Sequence, residues 1–270
     1  ELQNYSDQGN PLEADAYRLA FADPEFLLRR ETRGIRIQLE LLKPDIDQMA
    51  AGIENTVVVY GSARILSPEV AQAARDVAQT NGDMQALAQA KRDLHNAHYY
   101  DQARQFGALV AAYSAGRPAS EQLYVATGGG PGIMEAANRG AHEMGAATIG
   151  LNIALPHEQH ANRYVTPSLS FKFHYFALRK MHFLMRAKAL VAFPGGFGTL
   201  DELFEVITLV QTKKAKPLPI VLVGSDYWSR LINFDGLLEA GTISPQDMDL
   251  FSFADSAQDV WETITAFYGL

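Results

Sequence analysis

Residues 194–202, with the sequence PGGFGTLDE, combine residues suited to binding an anion with residues suited to acid–base chemistry. Three glycines follow a hydrophobic run, and glycine lets backbone N–H groups approach a ligand closely. A helix that starts after such a loop directs its free N–H groups and its positive dipole end to the same place. The segment therefore indicates a phosphate site, with the carboxylate of Glu202 close to it.

A structural interpretation of the same segment is also open. Thr199 and Glu202 have the T-x-x-E spacing of a capping box, in which Glu202 would only close the start of the helix. Two nucleotide fingerprints do not fit. The Walker loop needs a glycine before a lysine, and the chain has no such pair. In both G-x-G segments a carboxylate, Asp201 or Glu135, replaces the last glycine of the dinucleotide motif, so NAD binding is not expected.

Four basic residues precede the glycine loop: Arg179, Lys180, Arg186 and Lys188. Adjacent positions on a helix point about 100° apart, so one of Arg179 and Lys180 can face the loop while the other faces a neighbour or solvent. A solvated basic surface is the commoner outcome of such a cluster. In a chain of net charge −8, however, the cluster also suits an anionic ligand.

The elements that would position these residues alternate between strands and helices. Apolar runs without polar alternation predict five buried strands, at 54–62, 123–126, 146–155, 189–193 and 216–224. With helices between them, the predicted fold is α/β, a Rossmann-like doubly wound parallel sheet with helices on both faces. Ligands of such sheets lie beyond the carboxyl ends of the strands, where glycines follow the first, second and fourth predicted strands.

Two parts of the chain extend this plan. Residues 1–53 are predicted as an N-terminal helical extension, in which Ile35, Leu39, Leu42 and Ile46 recur at helical spacing. Residues 54–270 are predicted as the Rossmann-like domain, with a helical insertion at about 63–120. The extension could cover the site, build an oligomer or carry a regulator, and the sequence does not choose among these.

Composition excludes several classes of function. The chain has no cysteine, which excludes disulfides, thiolate metal sites and a cysteine nucleophile. Its pI of about 5.4 gives no basic field for nucleic acid or an anionic membrane. No apolar run approaches the ~20 residues of a membrane helix, so a cytoplasmic location is the expectation. His157 and His160 are three positions apart rather than the four of a zinc protease motif, and no metal site is predicted.

Three separated motifs resemble those of the LOG ("Lonely Guy") family, in the same order. They are GGGPGIMEAANRGA at 128–141, the pair Arg179-Lys180, and P-G-G-x-G-T-x-x-E at 194–202. The first strand, ending at Gly61-Ser62, fits as well. Members of the family are cytokinin riboside 5′-monophosphate phosphoribohydrolases, long labelled possible lysine decarboxylases. The N-terminal extension and the insertion resemble the longer bacterial branch of the family. The resemblance implies that residues 54–270 are a nucleotide-binding catalytic domain.

The resemblance implies hydrolysis of the N-glycosidic bond of AMP or an N6-modified AMP, giving free base and ribose 5-phosphate. It implies no cofactor, a role in cytokinin activation, and a homodimer or higher homo-oligomer. Arg179 and Glu202 would be the catalytic pair. The expected phosphate-binding residues are Gly195, Gly196, Gly198 and Thr199. The remaining predicted substrate contacts are Ser62, Gly129, Gly130, Glu135, Asn152 and Lys180.

Two functions of other classes stay open. A nucleotide-binding or carrier protein on the same fold would keep the phosphate loop and make little use of Arg179 or Glu202, so the presence of both favours the enzyme. A lysine decarboxylase dependent on pyridoxal phosphate needs a lysine that forms a Schiff base, and no lysine here is singled out for that role.

Overall fold

The computed structural model describes residues 18–155 and 160–270, and the chain divides into two compact units, residues 1–43 and 44–270. Within the first unit, a 3-10 turn at Ala20–Ala22 precedes helix α1, Pro24–Leu28. The Asp23 carboxylate caps α1 by accepting from two backbone N–H groups. Helix α2, Arg33–Ala50, begins in the first unit and ends in the second. The predicted domain boundary at residue 53 stays a prediction.

A seven-stranded sheet forms the centre of the second unit, and each of its pairs of neighbouring strands is parallel. The spatial order is β4-β3-β2-β1-β5-β6-β7. The strand bounds are β1 Thr56–Tyr60, β2 Tyr124–Thr127, β3 Ile149–Ile153, β4 Ser170–Phe173, β5 Ala187–Ala192, β6 Ile220–Val223 and β7 Ser252–Ala254. The predicted α/β fold with a doubly wound parallel sheet is confirmed.

Helices connect these strands. Their bounds are α3 Pro68–Asn81, α4 Met84–Ser114, α5 Ile133–Glu143, α6 Phe176–Met185, α7 Phe197–Gln211, α8 Ser225–Leu231, α9 Phe234–Glu239 and α10 Ala257–Tyr268. Short 3-10 turns occupy Pro167–Leu169 and Pro245–Leu250. The break expected near Asn81 is present, because Gly82 ends α3 with φ +67° and the Asp83 side chain caps α4.

The predicted insertion contributes to the hydrophobic core. Phe106 and Val110 of α4 are fully buried together with Val57 and Val59 of β1. Helices α4 and α5 approach closely at Gly140, where an added Cβ would lie 1.8 Å from a backbone carbonyl oxygen of α4. Only a residue without a side chain fits that contact, so α4 is fixed against the helix that follows the second strand.

Strands β4 and β7 are absent from the sequence prediction, and both lie at edges of the sheet. In β4 buried and exposed residues alternate, and β7 has three residues. Neither is the continuous apolar run that identified the five central strands. Within the described part of the chain, no helix is both long enough and apolar enough to span a bilayer.

Candidate active site

The fifth-strand corner is defined as residues 194–202, which follow β5 and include the first turns of α7. The helix of this corner begins before Thr199. Helix α7 starts at Phe197, and Gly196 is its N-cap. Thr199 therefore lies in the first turn and Glu202 in the second, so the capping-box interpretation of these two residues is wrong. The carboxylate of Glu202 is left for another partner.

The three glycines of this corner differ in the room that they leave for a side chain. A Cβ added at Gly195 would lie 2.1 Å from Thr199 Oγ1, whereas none of the described atoms lies within 4 Å of a Cβ at Gly196 or Gly198. The first helical hydrogen bond runs from Leu200 N–H to Gly196 O at 3.0 Å, so the N–H groups at 197–199 precede the helical ladder. The corner presents exposed backbone at the positive end of a helix dipole, a suitable place for an anion.

Arg179 and Glu202 form a buried ion pair at this corner. Arg179 Nη2 lies 2.5 Å from Glu202 Oε1, and the two side chains are 11% and 12% exposed. The guanidinium packs near the rings of Phe176 and Phe183, whose centroids are 5.4 and 5.6 Å from its central carbon. Its Nε is buried and has no hydrogen-bond partner among the described residues.

Arg179 also lies close to the second-strand corner, which is defined as residues 128–135 and comprises the loop after β2 and the start of α5. A Cβ added at Gly128 would lie 3.7 Å from Arg179 Nη1. The guanidinium thus lies between the two glycine corners. Lys180, the next residue, instead pairs with Asp201 at 2.7 Å and Glu205 at 3.1 Å. Arg179 and Lys180 therefore pair with different carboxylates, as their spacing on the helix predicts.

The burial of this ion pair changes its acid–base chemistry. Desolvation raises the pKa of Glu202 from its ordinary 4.5 to about 7, although the positive charge of Arg179 opposes the rise. Tyr60, the buried last residue of β1, has a pKa raised well above its usual range by burial and by the nearby charge of Glu202. Tyr60 also meets Phe183 edge to face, with ring centroids 5.1 Å apart. Sequence reasoning missed Tyr60, which carries no signal beyond its place at a strand end.

A buried amide network fixes the second-strand corner. Asn162 N–H donates to Gly129 O at 2.8 Å, and its side-chain amide donates to Gly130 O and to Asn138 Oδ1, both at 3.0 Å. Asn138 Oδ1 also accepts from the Thr127 hydroxyl at 2.7 Å. Asn138 was missed in the sequence, because nothing distinguishes a helical asparagine that binds a loop from one that faces solvent.

The predicted substrate contacts of this corner take part in bonds or close packing within the protein. Gly129 has φ +70°, and a Cβ there would lie 2.5 Å from Asn152 Oδ1. Glu135 accepts a 2.9 Å hydrogen bond from Tyr100 of α4, which burial keeps protonated by raising its pKa to about 12. Ser62 joins the corners, since its N–H donates to Pro194 O and its carbonyl accepts from α5. The predicted substrate-binding roles of these residues stay predictions.

No group of three His, Asp or Glu side chains in the described part of the chain is arranged to hold a metal ion. His157, Glu158 and Gln159, part of the segment weighed for zinc, lie outside the described residues. The site instead consists of an exposed backbone anion corner, a buried Arg–Glu pair and a rigid glycine turn beside it.

Comparison with known proteins gives partial matches. Residues 134–264 match the family model described as "Possible lysine decarboxylase". A "Probable cytokinin riboside 5'-monophosphate phosphoribohydrolase LOGL5" of Oryza sativa subsp. japonica is 32% identical over 136 residues, which is 49% of this chain and 54% of that protein. The "Cytokinin riboside 5'-monophosphate phosphoribohydrolase LOG3" of Arabidopsis thaliana is 31% identical over 49% of this chain and 62% of its own length. The chain thus spans less than two thirds of these relatives.

Among solved structures, the molybdenum cofactor binding protein from Rippkaea orientalis is 18% identical, with a TM-score of 0.49. That match covers 80% of this chain and 98% of the other protein. A similarity of this degree supports no statement about the function of this chain.

Proposed function

We propose that this chain, whose resemblance to the LOG family is confirmed, hydrolyses the N-glycosidic bond of purine nucleoside 5′-monophosphates, N6-modified ones included. The products are the free base and ribose 5-phosphate. The observation that carries the proposal is the buried Arg179–Glu202 pair between two glycine corners. A phosphate loop alone would fit a carrier equally well, whereas a carrier has no use for a desolvated carboxylate beside the loop.

The fifth-strand corner supports phosphate binding. Gly196 and Gly198 are exposed and have open space around them, and the N–H groups at 197–199 precede the helical ladder. A 5′-phosphate there would be bound by backbone donors and by the helix dipole. Binding energy from the phosphate would then hold the distant glycosidic bond in position.

Glu202 supplies the acid–base function. As the bond between C1′ and the base nitrogen breaks, its electron pair leaves with the base and positive charge develops on the sugar. The ionised carboxylate stabilises that charge and accepts a proton from the water that attacks C1′. The protonated Glu202 then releases that proton, and the departing base nitrogen takes up one proton, so water has supplied hydroxyl to C1′ and hydrogen to the base. A pKa of about 7 lets Glu202 accept and release this proton near neutral pH.

Arg179 supplies a permanent charge. A guanidinium stays protonated at any working pH, so it can orient Glu202 through Nη2 and attract an anion through Nη1 at the same time. The names of the curated relatives support a cytokinin nucleotide as substrate. A homo-oligomeric assembly and a cytoplasmic location remain part of the proposal.

The test is release of ribose 5-phosphate from AMP, GMP, CMP and an N6-prenylated AMP at pH 8. Wild type is compared with Glu202→Gln and with Asp201→Asn, a control that changes the adjacent, more exposed carboxylate. Release that only the Glu202 variant loses supports the hydrolase and ranks its substrates. If wild type binds AMP tightly and releases nothing from any nucleotide, the chain is a nucleotide-binding or carrier protein. An absorbance band of bound pyridoxal phosphate would instead support the decarboxylase.

A further inference from the structure

Two consecutive carbonyl groups of the fifth-strand corner are held by groups from outside the corner. Pro194 O accepts a hydrogen bond from the Ser62 N–H at 3.0 Å. Gly195 O accepts one from the hydroxyl of Tyr227, a residue of α8, at 2.7 Å. The first bond joins two backbone groups, whereas the second needs a particular side chain. The orientation of the peptide group between Gly195 and Gly196 therefore depends on Tyr227.

The bond from Tyr227 also decides where the Gly196 N–H points. A trans peptide group is planar, and its C=O and N–H point in opposite directions. Because the Gly195 oxygen faces Tyr227, the Gly196 N–H faces away from that side chain. Gly196 is exposed, and no backbone oxygen of the described residues accepts from the N–H groups at 195–199. The tyrosine thus leaves the Gly196 N–H available to an anion, together with the N–H groups at 197–199.

A peptide group between two glycines needs such a restraint. Reversal of a peptide group changes ψ of the residue before it and φ of the residue after it, and glycine tolerates both changes because it has no Cβ. Gly196 has φ −92° and ψ −152°, and none of the described atoms lies within 4 Å of a Cβ built on it. A reversed group would present the Gly195 oxygen to a bound phosphate, and the negative charges would repel each other.

Tyr227 is itself held firmly by the helix that carries it. The next residue, Trp228, is fully buried, and its indole N–H donates to Val223 O of β6 at 3.0 Å. The rings of Tyr227 and Trp228 meet edge to face, with centroids 5.3 Å apart. Burial raises the pKa of Tyr227, so its hydroxyl stays protonated and remains a donor at neutral pH.

We propose that Tyr227 is a positioning residue of the phosphate site, which holds the peptide group between Gly195 and Gly196 with its N–H directed at the 5′-phosphate. The inference rests on the proposed function for the use of this corner as a phosphate site, but it does not require turnover. A hydrogen bond to a charged group is lost when the peptide group reverses, so loss of the hydroxyl should weaken phosphate binding about tenfold.

The first experiment compares Tyr227→Phe with Tyr268→Phe. Tyr268 is a matched control, because its hydroxyl donates to a backbone oxygen, Lys188 O, at 2.6 Å near the start of β5, whereas the corner follows the end of that strand. Both changes are made in Glu202→Gln, so that AMP is not consumed, and calorimetry measures the binding of AMP and of adenosine, which lacks the phosphate. Tyr227→Phe should bind AMP about tenfold more weakly and adenosine unchanged, while Tyr268→Phe should bind both as the parent does.

The control separates positioning from general stability, because each variant loses one bond from a hydroxyl to a carbonyl and their melting temperatures should be similar. Equal weakening of AMP and adenosine, or weakening in Tyr268→Phe as well, overturns the proposal. Unchanged AMP binding by Tyr227→Phe also overturns it. Failure of the proposed hydrolase gives a different result: wild type releases no ribose 5-phosphate, while the difference in AMP binding between the two variants persists.

The second experiment observes the Gly196 amide directly by NMR in protein labelled with ¹⁵N-glycine, with its signal identified by its absence in Gly196→Ala. Inorganic phosphate should move the Gly196 amide proton of wild type downfield, because the N–H donates to the anion. At saturation the shift should be smaller in Tyr227→Phe and unchanged in Tyr268→Phe. A Gly196 amide that does not respond to phosphate in wild type, or that responds equally in Tyr227→Phe, overturns the proposal.

Discussion

The second-strand and fifth-strand corners have the same design in sequence and opposite properties in space. Each has a glutamate seven positions after its first glycine, Glu135 after Gly128 and Glu202 after Gly195. In the second-strand corner the backbone of the glycines is bonded to buried amides and the glutamate accepts from Tyr100. In the fifth-strand corner two glycines are open to solvent and the glutamate pairs with an arginine.

The difference shows that glycine content does not identify a ligand loop. Gly129 and Gly132 have positive φ and no room for a Cβ, so glycine is required there by the turn and by close packing. Neither criterion requires glycine at positions 196 and 198. A Cβ has room at both positions, and neither residue is among the glycines with positive φ. A glycine that the fold does not need is the better candidate for contact with a ligand.

The largest expected effect separates the two glutamates. Glu202→Gln removes the proposed base and should lower kcat by about 1,000-fold, whereas Glu135→Gln should change kcat by less than about 10-fold. Steady-state release of ribose 5-phosphate measures both. Equal losses would mean that both corners contribute to catalysis and that the contrast between them is wrong.

A substitution of Arg179 tests whether activity at the fifth-strand corner depends on this residue of α6. Arg179→Lys keeps the charge but loses the planar guanidinium that pairs with Glu202 and lies beside Gly128, so kcat/KM should fall by about 100-fold. Arg230→Lys, at a 79% exposed ion pair, is the control and should behave as wild type. Wild-type kinetics for the Arg179 variant would restrict that residue to packing.

The pH dependence of activity follows from the raised pKa of Glu202. Because the ionised carboxylate is the proposed active form, kcat/KM should rise about tenfold per pH unit up to about 7 and then level off. The folded state also holds this proton more tightly than the unfolded chain. Stability relative to Glu202→Gln is therefore highest below the ordinary value of 4.5 and declines as the pH rises through about 7. A pH profile of the wild type that is flat from 5 to 8 would contradict the assignment of Glu202 as the base.

The smallest expected effects separate two neighbouring glycines. Gly195→Ala brings a Cβ against Thr199 and should lower the free energy of unfolding by about 1–3 kcal/mol, as overpacking does. Gly196→Ala finds open space and should leave stability within about 0.5 kcal/mol of wild type, while KM rises because the methyl group crowds the phosphate. Denaturant unfolding and nucleotide titration measure the two effects. An unchanged KM for Gly196→Ala would argue against phosphate binding at this corner.

Sequence reasoning found the parts of the site that depend on local patterns. The five central strands are continuous apolar runs. Strands β2, β1 and β5 are neighbours in the sheet, so the glycines that follow them lie together at the carboxyl ends of these strands. Strands β4 and β7 escaped because an edge strand is exposed on part of its surface and lacks such a run. Likewise, Thr199 and Glu202 fit a capping box until the true start of α7 is known.

By itself, the sequence determined the α/β fold, the two glycine corners and the order of the motifs, because these follow from residues close together in the chain. Only the tertiary structure decided that Arg179 meets Glu202 while Lys180 does not, and that Asn162 fastens the second-strand corner. Each of these depends on contacts between segments far apart in sequence, which no local pattern specifies.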